Sequence, residues 1–213
     1  MAHQTILVLD FGSQFTQLIA RRLRELSVYS EILPFTTSAE TLRARRPAGL
    51  ILAGGPSSVY DADAPKPERA VLDLGVPTLG ICYGMQVITE AFGGSVDKST
   101  HREFGHALVC VAQDQPSRLF AGLPAELKVW ASHGDRVTRA PEGFAVVATS
   151  ANAPVAAMEA PERGFYGLLF HPEVVHTNRG RDVHERVAEL AMRAGVDRPA
   201  ERLGQHLHAV ADA

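Results

Sequence analysis

The sequence predicts an α/β protein: an open, mostly parallel central sheet flanked by helices, with a smaller antiparallel β region. Three observations carry that expectation. Short apolar runs at Thr5 to Asp10, Ala48 to Ala53, Val76 to Ile81 and Phe165 to Phe170 have the form of strands buried on both faces, as in a parallel sheet. The N-terminal runs alternate with stretches of helical spacing in the order β-α-β-α. Between Ser95 and Glu159 the texture changes to what reads as shorter strands with more frequent turns.

The first run, Thr5-Ile6-Leu7-Val8-Leu9-Asp10, opens into Asp10-Phe11-Gly12-Ser13-Gln14. A helix follows, with Phe15, Leu18, Ile19, Leu23 and Leu26 on one face and Ser13 as its expected cap. Val28 to Leu33 reads as a second strand stopped by Pro34, and Thr37 and Glu40 have capping-box spacing for the next helix. The third strand, Ala48 to Ala53, ends in Gly54-Gly55-Pro56. Two glycines at the carboxyl end of a central strand allow close backbone approach to a ligand, although a plain tight turn fits the same letters. Position favours the ligand, because open α/β sheets bind beyond the carboxyl ends of their strands.

A short helix over Pro67 to Leu74 leads to Val76-Pro77-Thr78-Leu79-Gly80-Ile81-Cys82-Tyr83-Gly84-Met85-Gln86. A cysteine with glycines two positions to either side, between a strand and a helix, has the form of a nucleophile elbow. Gly80 and Gly84 remove the Cβ atoms that would collide where strand and helix converge. The helix N-terminus favours negative charge, so the thiol is expected to ionise more readily than a free cysteine of pKa about 8.5. Met85, Ile88 and Phe92 continue the helix, and Gly93-Gly94 stops it. Cys110, in Ala107-Leu108-Val109-Cys110-Val111, has no such setting and reads as core.

In the changed region, strands are expected at Ala107 to Val111, Leu127 to Trp130, Phe144 to Ala148 and Val155 to Glu159. Ser132-His133-Gly134-Asp135 reads as a polar loop after Trp130, with groups able to bond a zwitterionic ligand. The final strand, Phe165 to Phe170, delivers His171-Pro172-Glu173. A thiol nucleophile needs an imidazole to take its proton, and the imidazole needs a carboxylate to fix its tautomer. His171, His176 and His184 lie in one stretch, but without the Cys or Asp partners of a three- or four-ligand site no metal is expected.

At 213 residues the chain is long enough for one well-buried domain. Its net charge of −3, from 21 basic and 24 acidic residues, offers no electrostatic argument for nucleic acid or an anionic membrane. Arg21, Arg22 and Arg24, and Arg43, Arg45 and Arg46, read as exposed helix faces rather than a phosphate patch. No apolar run approaches the roughly 20 residues of a membrane span, and two cysteines suggest no disulfide framework, so a cytoplasmic protein is expected.

Gly54-Gly55-Pro56, Gly80 to Gln86 and His171-Pro172-Glu173, in this order and spacing, resemble the class I glutamine amidotransferases. Within that family, Asp10 to Gln14, Arg102-Glu103-Phe104-Gly105, Ser132 to Asp135 and His176-Thr177 are similar to the glutaminase part of the GMP synthetases. The resemblance implies Cys82 as nucleophile, His171 as general base and acid, and Glu173 as the group that orients it. It implies an oxyanion hole from the backbone N–H groups of Gly55 and Tyr83, with Gly54, Gln86, Ser132, His133 and Gly134 near the bound glutamine. No cofactor is implied for glutamine hydrolysis. The implied partner is an ATP-pyrophosphatase domain or subunit that uses ATP and Mg²⁺ to aminate xanthosine monophosphate. On this reading residues 1–195 form the amidotransferase domain and 196–213 a helical tail or linker toward that partner domain, which favours a fragment of a two-domain enzyme over a separate subunit. The same chemistry could instead serve chorismate, carbamoyl phosphate or CTP synthesis, and a silent glutamine-binding partner is the reading of another class. Leu169 stands where the family resemblance leads one to expect glutamine, and Val183, His184 and Val187 where bulkier apolar residues are common.

Overall fold

The computed structural model describes residues 4–196, with the side chains of 99–102 and 192–196 left aside. Arg102 and the tail expected after Val196 therefore fall outside the described side chains and residues. Nine strands form one continuous sheet in the order β2-β1-β3-β4-β9-β8-β7-β5-β6. The parallel half contains β1 (Thr5–Asp10), β2 (Tyr29–Pro34), β3 (Gly49–Leu52), β4 (Thr78–Ile81) and β9 (Phe165–Leu168). Continuous burial along β3, β4 and β9 explains their unbroken apolar sequences. The helices are α1 (Thr16–Glu25), α2 (Ala39–Ala44), α3 (Arg69–Leu72), α4 (Tyr83–Ala91) and α5 (Gly180–Val196). α1 buries Thr16, Ile19, Ala20 and Leu23 and packs against α5.

The antiparallel region is larger than the sequence suggests. β5 (Ser95–Val111), β6 (Glu126–Arg139), β7 (Ala145–Ser150) and β8 (Ala157–Ala160) prolong the same sheet beyond β9. At 17 and 14 residues, β5 and β6 are its longest strands. They read as shorter because only one face of each is apolar: Leu127, Val129 and Ala131 are buried while Glu126 and Lys128 face water, and the pairing shifts register between Lys98 and Glu103. The same alternation corrects two expectations. Cys110 is exposed, opposite in facing to Val109 and Val111, and Ser132 to Asp135 lie within β6 rather than in a loop.

Two caps also differ. Ser13 Oγ accepts from Phe15 N–H at 3.1 Å, ahead of the helix, whose N-cap Phe15 has no side-chain bond. For α2 the cap is Ser38, whose hydroxyl accepts from Thr41 N–H at 3.2 Å, while the Thr37 hydroxyl donates to Pro34 C=O. Ser38 has the extended backbone that a capping side chain requires, whereas the chain at Phe15 is already helical.

Candidate active site

β4 stops at Ile81 and α4 starts at Tyr83, so Cys82 alone makes the turn between them, with φ 47° and ψ −107°. This left-handed backbone is strained for any residue with a Cβ. The glycines permit it. A Cβ on Gly80 would stand 2.5 Å from the Gly84 carbonyl, and one on Gly84 would strike the Leu52 carbonyl oxygen of β3. Cys82 N–H donates to Leu168 C=O at 2.7 Å, tying the elbow to the end of the neighbouring parallel strand β9.

That pairing brings His171 to the same sheet end. Cys82 Sγ lies 3.2 Å from His171 Nε2, and His171 Nδ1 lies 2.7 Å from Glu173 Oε1. All three are buried. Burial opposes a charged His171 ring, but the Cys82 sulfur and the Glu173 carboxylate outweigh it, and the His171 pKa is raised to about 11. The arrangement therefore favours the imidazolium form of His171. The segment is anchored from several sides. His171 N–H donates to Trp130 C=O at 2.9 Å, and the Thr177 hydroxyl donates to His171 C=O at 2.6 Å while accepting from Trp130 N–H. Arg22 Nε of α1 donates to Glu173 C=O at 2.9 Å. Leu169 is buried in the core, with its N–H bonded to Ala156 C=O.

Cys82, Tyr83, Gly55, Gln86, Ser132 and His133 are among the walls of a cleft of about 710 Å³. Gly134 also lines it, whereas Gly54 lies behind, where an added Cβ would sit 3.4 Å from His171 Cε1. Among the described residues no protein acceptor takes the N–H of Gly55 or of Tyr83. A Cβ on Gly55 would approach Phe11 C=O to 2.8 Å, so this close passage suits glycine. Gln86 Nε2 donates to Asp135 C=O at 3.4 Å, and its buried Oε1 has no partner among the described residues. Buried polar atoms are rarely left so, and an orphan acceptor beside a cleft suits a ligand donor.

Residue types alone do not show what supports this wall. His133 Nε2 lies 3.3 Å from Glu103 Oε2, and burial lowers the His133 pKa against the opposing pull of Glu103. The Glu103 carboxylate also takes bonds from Ser150 and Asn152. In the sequence Arg22 reads as an exposed charge, and Thr177 belongs to the His176-Thr177 pair of the subgroup resemblance without a role of its own. His176 is outside the cleft lining and packs against Trp130 with the rings tilted, centroids 4.8 Å apart. Among the described residues, no group of three or more His, Cys, Asp or Glu could hold a metal ion, and no helix is long and apolar enough to cross a membrane.

A strand-to-helix cysteine, its histidine and carboxylate partners and two free N–H groups at one sheet edge define a class of protein, and family comparison agrees: residues 7–189 match the class-I glutamine amidotransferases, and the chain belongs to that family. Its relatives include the GMP synthases (glutamine-hydrolyzing) of Bacillus cereus and Bacillus anthracis, each 52% identical over 181 residues. That alignment covers 85% of this chain and 35% of each relative, so the chain spans about a third of their length. A crystal structure described as that of a GMP synthase subunit, from Thermoplasma acidophilum, is 34% identical with a TM-score of 0.83, covering 92% of this chain and 98% of that one. A Thermotoga maritima glutamine amidotransferase, 22% identical with a TM-score of 0.66 over 91% of this chain and 86% of its own, shares the fold.

Proposed function

We propose that this chain hydrolyses glutamine to glutamate and ammonia, as the glutaminase part of a GMP synthase. The alignment of Cys82, His171 and Glu173 at 3.2 and 2.7 Å carries the reading. The Cys82 sulfur attacks the side-chain amide carbon of glutamine. The resulting oxyanion accepts from Gly55 and Tyr83 N–H, and the His171 proton goes to the amide nitrogen. The C–N bond breaks and ammonia leaves. Water then gives a proton to His171 and attacks the thioester, and loss of the sulfur releases glutamate and restores the resting pair. Gln86 Oε1 is suited to accept from the substrate ammonium, and the wall at Ser132, His133 and Gly134 to hold its carboxylate end.

The likeness to GMP synthases supports an ATP-pyrophosphatase partner, which activates xanthosine monophosphate with ATP and Mg²⁺ and receives the ammonia. A cytoplasmic location fits that role. The deciding experiment measures glutamate formed from glutamine by this chain alone and with such a partner loaded with xanthosine monophosphate, ATP and Mg²⁺. Faster hydrolysis together with GMP is expected. Hydrolysis indifferent to the partner would overturn the acceptor assignment, and none in either condition would overturn the glutaminase itself.

A further inference from the structure

Among the described residues, two buried side chains behind the triad keep polar atoms without a hydrogen-bond partner. Glu173 gives Oε1 to His171, while Oε2 is buried and bonded to nothing. His184 is buried to 1% exposure, and neither ring nitrogen has a partner. Such orphans are rare, and two of complementary chemistry in one region call for a joint explanation.

The packing places them together. α5 starts at Gly180, which sits so tightly on the triad loop that an added Cβ would strike the Pro172 carbonyl oxygen and meet Thr177 Cγ2 at 3.4 Å. His184 is four residues further on, hence on the same helix face, directed to the interior with Val183 and Val187. Glu173 of the loop and Arg22 and Glu25 of α1 are the charged groups that act on it. Arg22 is already engaged, donating to Glu173 C=O and to Glu25.

We infer that His184 is a positioning residue for the triad acid: its ring N–H serves Glu173 Oε2 across a single water, and so fixes the carboxylate that orients His171. The neutral imidazole is the right species, because burial lowers its pKa to about 4 and leaves it one N–H to donate and one nitrogen to accept. A second donor on the far carboxylate oxygen restricts rotation of Glu173. The bond to His171 then stays in line, and with it the imidazolium that steadies the Cys82 sulfur. The groups acting on His171 itself are Cys82 and Glu173, with His133 across the cleft. An apolar residue would fill the same space and pack more favourably, but it would leave Oε2 unserved.

This inference rests on the glutaminase reading, and its test separates the two. Iodoacetamide alkylation of Cys82 is followed from pH 5 to 9 in wild type, His184→Leu and His184→Gln, beside glutamine kinetics and urea unfolding. In wild type, alkylation at pH 6 should exceed that of an ordinary thiol. In His184→Leu it should fall about tenfold, as should kcat, with KM little changed, since a lost bond to a charged group costs about that much. The same variant should be no less stable at pH 7. His184→Gln, which keeps an N–H, should recover most of the rate. Wild-type reactivity retained in His184→Leu would overturn the inference, as would equal losses in both variants accompanied by lower stability. An ordinary thiol profile in wild type would instead overturn the triad reading beneath it.

Discussion

At the scale of single residues, the site combines backbone strain with tight chemical requirements. Cys82 keeps a left-handed φ of 47° that glycine would adopt more readily. Cys82→Gly is therefore expected to stabilise the fold by about 1 kcal/mol, read by urea denaturation, while removing glutamine hydrolysis altogether. Cys82→Ala should be equally inactive, and residual turnover near wild type would contradict the nucleophile assignment. In the proposed mechanism His171 moves protons and Glu173 only orients it. His171→Ala should thus cost at least about 10³-fold in kcat/KM, with Glu173→Ala costing less. Steady-state kinetics of the two variants gives the ranking. Cys82, His171 and Glu173 were legible in the sequence because the glycines and the Pro172 between His171 and Glu173 mark unusual backbone. The contacts of Glu103, Arg22 and His184 were not, even though Glu103 and His184 stood out in the family resemblance, because they depend on partners that only folding supplies, 30 residues away for His133 and 151 for the Glu173 carbonyl.

Among the elements, the convergence of β3, β4 and α4 sets the geometry of the elbow. Gly84→Ala forces a Cβ onto the Leu52 carbonyl and must push α4 away from the sheet. A loss of about 3 kcal/mol is expected in urea unfolding, together with most of the activity. α5 imposes a pH limit. The folded-state pKa of His184 is lowered to about 4, against 6.5 for a free histidine, so its contribution to stability is full above pH 6.5 and is lost as pH falls toward 4. About 3 kcal/mol should disappear across that window. His184→Leu should flatten this acid dependence, as urea midpoints at pH 7 and pH 4.5 would show. Element types were most readable where the chain is buried on both faces, as in β1, β3 and β4. They were least readable in β5 and β6, where outward polar residues such as Lys128 and Asp135 break the apolar pattern that marks a strand. One-sided burial explains why Ser132 to Asp135 read as a polar loop.

On the scale of the whole molecule, a chain that spans about a third of its relatives' length brings Cys82, His171 and Glu173 together beside a wide cleft. Release of ammonia into water would be wasteful, so the chain alone is expected to be slow and a loaded partner to accelerate it, by contacts that settle the oxyanion donors. Equal activity with and without the partner would rule out that gating. The sheet also has an optical consequence. Trp130 is the sole tryptophan of the chain, its carbonyl holds the His171 N–H, and its indole packs against the rings of His106 and His176. Its ultraviolet emission therefore comes from the strand on which His171 is hung, and imidazoles beside an indole make that emission sensitive to small displacements. If the proposed function holds, glutamine entry and partner docking that shift the His171 segment are expected to register in real time, without a label, through one native fluorophore.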